Sequence, residues 1–180
     1  MKPDVKHIIL LRGVNVGGRT IKMADLKTCM ENGGFRNVIT VLQTGNVVVD
    51  AGKADSEKLR LRVEKLLGDT FHYPAKVLAL SPAELETVIR GYPFQNPGPD
   101  VHRYVVFTEK GFEETLAHQA PPLDASVEAV SPGEGVVYWR VRKGQTLDSV
   151  FGKYMAKAAA KQFITNRNLN TLEKILAKCG

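Results

Sequence analysis

The chain has 180 residues, 43% of them apolar, a formal charge of +6 and a pI near 9.3. That is enough apolar side chain for one large domain or two small ones around a proper core, and the positive balance permits a phosphate-bearing partner without requiring one. The longest apolar run near the start, Ile8 to Leu11, falls far short of the roughly 20 residues that cross a bilayer, so neither export nor a membrane partner is expected.

In chain order, residues 5–11 read as a strand. Met23, Leu26 and Met30 then recur at helical spacing until Gly33 and Gly34 supply a stop. Val38 to Leu42 and Asn46 to Val49 are β-branched runs separated by Gln43, Thr44 and Gly45, the pattern of a hairpin with a glycine in its loop. From Ser56, the residues Leu59, Val63, Leu66 and Leu67 mark one helical face that Gly68 closes, and Ala75 to Leu80 follow as a strand. The order β-α-β-β-α-β is the ferredoxin-like signature. Ser81, Pro82 and Glu84 form a capping box with proline at the first helical position, opening a helix that Gly91 ends.

The stretch PFQNPGP over 93–99 is the best boundary in the chain. The expected organisation is a ferredoxin-like subdomain with an added helix over 1–92, a Pro-rich linker over 93–100, and a second α+β subdomain over 101–180. In the second half, Tyr104 to Thr108 read as a strand, Phe112 to His118 as a short helix, and 126–130 with 136–142 as a hairpin about Pro132 and Gly133. Two helices finish it, the first with Leu147, Val150, Phe151 and Tyr154 on one face, the second with Leu169, Leu172, Ile175 and Leu176. The fold class is therefore α+β in two subdomains, βαββαβ and then a related βαββαα unit.

Two polar clusters stand out against this background. In a ferredoxin-like sheet the end of the first strand lies beside the start of the third, which gathers Arg12 and Asn15 near Gln43, Thr44 and Asn46. Gly13, Gly17 and Gly18 can turn backbone N–H groups inward, and the helix from about Met23 offers its positive end nearby. Arg12 adds a planar fork matched to carboxylate or phosphate. The spacing is neither GxxxxGK[ST] nor GxGxxG, and turn chemistry alone is the competing explanation for the glycines.

The second cluster is ITNRNLNTLEKIL, residues 164–176. Thr165, Asn166, Asn168 and Asn170 all suit a helix cap, yet one helix start needs only one or two. Arg167 at a helix N-terminus is electrostatically misplaced unless an anion, either a protein carboxylate or a ligand, lies beside it. Lys153, Lys157 and Lys161 form a basic row at spacing i, i+4 and i+8, which is either a solvated helix face or a track for a nucleic-acid backbone.

Signs of catalysis and of metal binding are sparse. His7, His72, His102 and His118 are scattered, and neither HExxH nor GxSxG occurs. Glu113, Glu114 and Asp148 have no partner placed by a motif. Cys29 and Cys179 lack metal-ligand spacing and form no CxxC, so a reducing cytoplasm is the expected compartment, with no metal and no cofactor.

Leu10 to Gly18 (LRGVNVGG after a leucine), Met23 with Leu26, Gly45-Asn46-Val47, and Arg167-Asn168-Leu169-Asn170-Thr171 together resemble the motifs of a bacterial family of uncharacterised proteins, domain of unknown function 1697. The resembling motifs span nearly the whole chain. Leu169 departs from the pattern, since the family carries tryptophan there, which removes an aromatic surface from that position. The resemblance implies a cytoplasmic α+β protein of two subdomains, the first ferredoxin-like, and implies no activity.

The leading functional expectation is a binding site for a small anionic ligand, a nucleotide or another phosphate ester, built from Arg12, Gly13, Asn15, Gly17, Gly18 and Asn46 together with Arg167, Asn168 and Asn170. The second is nucleic-acid binding through the basic C-terminal helices. Against it, the two central strands offer Ile8, Ile9, Leu10, Asn46, Val47 and Val48 where RNA-binding sheets of this topology expose aromatics. The third is an enzyme of unknown reaction that steadies a developing oxyanion with Arg12 and the loop amides. No nucleophile or base is marked by any motif, and nothing in the pattern fixes an oligomeric state.

Overall fold

Strand β1 (Lys6–Leu11) lies between β3 (Asn46–Asp50) and β4 (Val77–Leu80), and β2 (Arg36–Val41) flanks β3, giving the order β2-β3-β1-β4 with antiparallel pairing throughout. The computed structural model describes residues 5–14, 18–95 and 98–180. Ile8 opposes Val48 on one side and Leu80 on the other, and Leu10 opposes Asn46. This is the strand order expected of a βαββαβ unit.

Helices α1 (Met23–Asn32) and α2 (Ser56–Phe71) cover one face of that sheet. Alternate strand residues Ile9, Leu11, Val47, Val49 and Val77 meet Leu26 and Met30 of α1 and Leu59, Val63 and Leu67 of α2. Each such side chain contributes about 1.5–3 kcal/mol when fully buried. Ile8, Leu10 and Val48, on the alternate face, are buried as well, which accounts for the continuous apolar run in β1.

Asp55 caps α2 by accepting from the backbone N–H groups of Glu57 and Lys58 at 3.0 and 3.1 Å. The helix does not stop at Gly68; it runs on to Phe71 and closes with His72 in the left-handed region at φ 54°. A Cβ on Gly68 would come within 3.2 Å of the Tyr73 carbonyl oxygen, so this glycine makes room for the chain returning past the helix end. Helix α3 (Pro82–Arg90) opens on the expected capping box: Glu84 N–H donates to Ser81 Oγ at 3.2 Å while Ser81 N–H donates to Glu84 Oε2 at 2.7 Å.

The second sheet comprises β5 (Val101–Thr108), β6 (Glu128–Gly133), β7 (Val136–Arg142) and β8 (Ile164–Asn168) in the order β6-β7-β5-β8, the same permutation as the first. Helices α4 (Glu113–His118) and α5 (Val150–Ala158) supply Leu116 and Phe151 to a core with Val106, Val137, Trp139, Val141 and Ile164. Helix α6 (Leu169–Ala177) ends the chain. The molecule is thus α+β, with two four-stranded antiparallel sheets, each carrying a β-α-β-β unit of the same order.

Strand β8 stands where helix-start residues were expected, so the second unit continues βαββαβ before α6. Its residues lack apolar alternation, but pairing with β5 places Thr165 opposite Phe107 and Arg167 opposite Val105, and the ladder imposes the extended backbone. Leu147, expected on the face of α5, precedes that helix and is 85% exposed. The compact units of the chain are Met1–Glu86 with Glu173–Gly180, and Thr87–Leu172, a division that falls inside α3 and α6. The residues after Glu86 fasten to the second sheet: Tyr138 Oη donates to Val88 O at 3.0 Å and Tyr92 Oη to Trp139 O at 3.3 Å.

Candidate functional site

The first polar cluster begins where β1 ends. Leu11 N–H donates to Gly45 O at 2.8 Å and Arg12 N–H to Lys76 O at 2.9 Å, so the backbone leading into Arg12 is tied to the β2-β3 hairpin and to the residue before β4. Gly13 takes φ 65° and Gly18 φ 79°. Asn15 and Gly17 lie outside the described residues. Val14 is buried and packs onto Gly45, where a Cβ would meet Val14 Cγ2 at 2.4 Å and Leu11 Cβ at 2.9 Å. The structure therefore brings the start of the loop to the hairpin, as the topology requires.

Asn46 is fully buried, and its amide nitrogen donates to Val41 O at 2.9 Å and to Thr44 Oγ1 at 2.8 Å. A side-chain amide has two N–H donors, and both serve the hairpin. Asn46 thus shapes the wall against which the loop rests. Gln43 and Thr44 are exposed at the tip.

Helix α1 starts unusually. Its N-cap is Lys22, which makes no side-chain capping bond, although Asp25 lies in the first turn. A helix N-terminus carries a partial positive charge and unsatisfied N–H groups, so a lysine at the cap adds like charge where an acceptor is favoured. Arg19, three residues earlier, places its guanidinium 4.4 Å from the centre of the Tyr73 ring.

The second cluster spans the β8–α6 junction. Arg167 lies on β8, two residues before α6, and only 8% of it is exposed. Its Nη1 donates to Thr165 Oγ1 and to Asn166 O, each at 2.8 Å, and burial pushes its pKa down to about 10. Asn168 does what one of the surplus asparagines was expected to do: its Oδ1 accepts from Asn170 N–H at 2.9 Å. Asn170 is exposed and its Oδ1 accepts from Arg103 Nη2 at 2.6 Å.

Arg103 has no place in the sequence expectation, and neither does Arg140, directly opposite it on β7. The signal was available in HRYVVF and YWRVR, two strand segments each carrying an arginine, but register decides whether such residues face one another. The basic row of α5 is also shorter than expected. Lys153 and Lys157 are exposed on the helix, whereas α5 ends at Ala158 and Lys161 falls in the following turn.

His7 is buried with Nε2 2.9 Å from Gly52 O, while His72 and His118 are exposed. Among the described residues, no group of three His, Cys, Asp or Glu could hold a metal ion, and no helix is long and apolar enough to cross a membrane. Both cysteines are free thiols.

A family model described as a protein of unknown function, DUF1697, matches residues 5–138. The chain belongs to this family. The DUF1697 match takes in Arg12, the glycine loop and Asn46, and ends before the segment from Arg167 to Thr171. No curated protein matches the chain. Among solved structures, this DUF1697 chain is similar to the conserved bacterial protein SP0830 from Streptococcus pneumoniae, with a TM-score of 0.78 and 20% identity, over 98% of this chain and 99% of that one. At that identity the likeness shows a shared fold.

Proposed function

We propose that this DUF1697 protein binds a small anionic ligand, a nucleotide or another phosphate ester, through the RGVNVGG loop and the RNLNT segment, as a cytoplasmic protein of a bacterium. The observation that carries the reading is the start of α1, where Lys22 occupies the cap position with no side-chain acceptor and the preceding loop holds Arg12 and Arg19. Helix N-H groups and cationic side chains at one loop favour an oxyanion in the position that a capping carboxylate or hydroxyl would otherwise take. At the other segment, Arg167 is held largely out of water, where a cation gains more from an approaching anion than it does at the surface. The two free cysteines suit a reducing compartment, and the similarity to a streptococcal protein supports a bacterial source.

The runner-up, nucleic acid along the C-terminal helices, is weakened by the turn that removes Lys161 from the α5 row. The enzyme reading still has no nucleophile or base assigned to it. Thermal-shift screening against nucleotides, sugar phosphates and carboxylates tests the proposal, because a ligand at 100 times its Kd adds about 2.7 kcal/mol of stability. Arg12→Ala and Arg167→Ala are each expected to remove the same shift. A shift that survives either substitution separates the two arginines and ends the single-site reading.

A further inference from the structure

Arg103 and Arg140 are cross-strand partners on the two central strands of the second sheet. Side chains directly opposite on neighbouring antiparallel strands have Cβ atoms about 4.5–5.5 Å apart, and like charges in that position are destabilising. Among the described residues, no carboxylate lies within ion-pair distance of either guanidinium. The position opposite Arg140 on its other side is Ala129, so β6 supplies no acid there. Two cationic side chains thus leave the sheet from facing positions, with no carboxylate among the described residues paired to either.

Both guanidinium groups are nevertheless held in place. Arg103 donates through Nη2 to Asn170 Oδ1 at 2.6 Å. Arg140 donates through Nη2 to Ala125 O at 2.8 Å, and its Cζ sits 5.9 Å from the centre of the Phe94 ring. Phe94 meets Tyr92 edge-on at 5.6 Å, and Tyr92 meets Tyr138 edge-on at 5.7 Å, so the aromatic flank is itself braced. A guanidinium has five N–H donors; one nitrogen of each is occupied by a neutral oxygen and the others remain for a ligand. Tethered planar forks lose less freedom on binding than free ones do, and they match the tetrahedral oxyanion in paired hydrogen bonds.

We infer that Arg103 and Arg140 form an oxyanion site that takes a phosphate group, on the face of β5 and β7 opposite Trp139, with Asn170 and Phe94 holding the two arginines in position. The occupant is inorganic phosphate or a phosphate monoester, two sources of the same chemistry. The site stands on the second sheet and needs neither Arg12 nor the glycine loop, and it shares only Asn170 with the reading above. An anion that reaches both guanidinium groups gains two attractions where an isolated surface arginine offers one, which is why it binds here in preference.

The experiment is calorimetric titration of the full chain with inorganic phosphate at low ionic strength, alongside Arg103→Ala, Arg140→Ala, Arg140→Lys and a charge-matched control, Lys65→Ala, on an exposed residue of α2. Circular dichroism confirms that each variant folds. Phosphate is expected to bind the wild type and Lys65→Ala alike and to bind each alanine variant about tenfold more weakly or worse. Arg140→Lys keeps the charge but not the fork and is expected to fall between, which preserves the test if an alanine variant fails to fold. A nucleoside monophosphate that binds more tightly than phosphate identifies the monoester as the source; equal affinity identifies the free ion. Failure of the wild type to bind phosphate, or unchanged affinity in Arg103→Ala and Arg140→Ala, overturns the inference. Loss of binding in Arg12→Ala with binding retained in both alanine variants overturns it too and leaves the loop reading standing, and the opposite pattern does the reverse.

Discussion

Trp139 and Glu128 are joined inside the second unit by a hydrogen bond from indole Nε1 to Oε2 at 3.0 Å, and the other carboxylate oxygen accepts from the backbone N–H of Phe151 at 3.0 Å. Glu128 is 1% exposed and Trp139 is fully buried. One side chain on β6 therefore satisfies the polar edge of the largest core residue and one of the orphan N–H groups in the first turn of α5. Ser149 Oγ takes another, from Gly152 at 3.1 Å.

Glu128→Gln tests that clamp. An amide keeps a single acceptor oxygen and turns its NH2 toward one of the two N–H donors, so one buried donor loses its partner. Orphaning a buried donor costs about 1–3 kcal/mol, and a destabilisation of that size is expected in chemical denaturation. Glu128→Leu strands both donors and is expected to cost more. Wild-type stability in Glu128→Gln would show that the clamp contributes nothing.

Gly45 is the next target. Alanine there meets Val14 Cγ2 at 2.4 Å and Leu11 Cβ at 2.9 Å, and the backbone sits at φ 72°. Left-handed backbone alone costs a residue with a Cβ about 1–2 kcal/mol, and the collision adds to it. Gly45→Ala is expected to lower stability by about 2 kcal/mol or more and, by pushing the Arg12 loop outward, to reduce the thermal shift from any anionic ligand of that loop. Gly18→Ala carries the same backbone cost with open space around the new methyl group, so its loss is expected to be smaller.

The first unit was legible in the sequence because each of its elements shows its own period. Ile8 to Leu11 is a buried strand, Leu59, Val63 and Leu67 repeat at helical spacing, and Ser81 with Glu84 makes a reciprocal cap. Strand β8 was not legible, because Thr165, Asn166, Arg167 and Asn168 carry cap chemistry and no alternation, and only pairing with Tyr104 to Thr108 makes them a strand. For the same reason the sequence pointed to Arg167 and Asn170 but not to Arg103, whose bond to Asn170 joins residues 67 positions apart. Asn46 stands out in the sequence, but its burial with both donors turned into the hairpin is a property that spacing does not reveal.

Alkaline pH gives a test of the aromatic flank beside Arg140. Burial pushes the Tyr92 phenol up to about 12, against the nearby Arg103 and Arg140, which pull it down. The folded chain then holds the phenolic proton while the unfolded chain releases it near pH 10, so this contribution to stability is whole below about pH 10 and is lost as pH rises toward 12. Burial raises Tyr73 and Tyr138 as well, with the same sign. Tyr92→Phe is expected to lose stability less steeply than the wild type between about pH 10 and 12. Parallel stability curves would place Tyr92 in water in the folded state.

Arg167 separates a ligand site from a structural bond most sharply. A guanidinium taken out of water carries a desolvation penalty, and its lowered pKa of about 10 expresses that penalty. The bonds from Nη1 to Thr165 Oγ1 and Asn166 O are among those that offset it, each worth about 1.5–3 kcal/mol net because the donor is charged. A buried charge can give way to an apolar side chain of similar volume at little cost where its bonds return no more than its desolvation takes. Arg167→Met is therefore expected to leave the unliganded protein as stable as the wild type or more so, while abolishing the thermal shift from the anionic ligand. That combination, function lost with stability kept, is the signature of a residue retained for binding. A fall of several kcal/mol without ligand would mean instead that Arg167 serves to fasten β8, and the anion reading would then lose its second arginine.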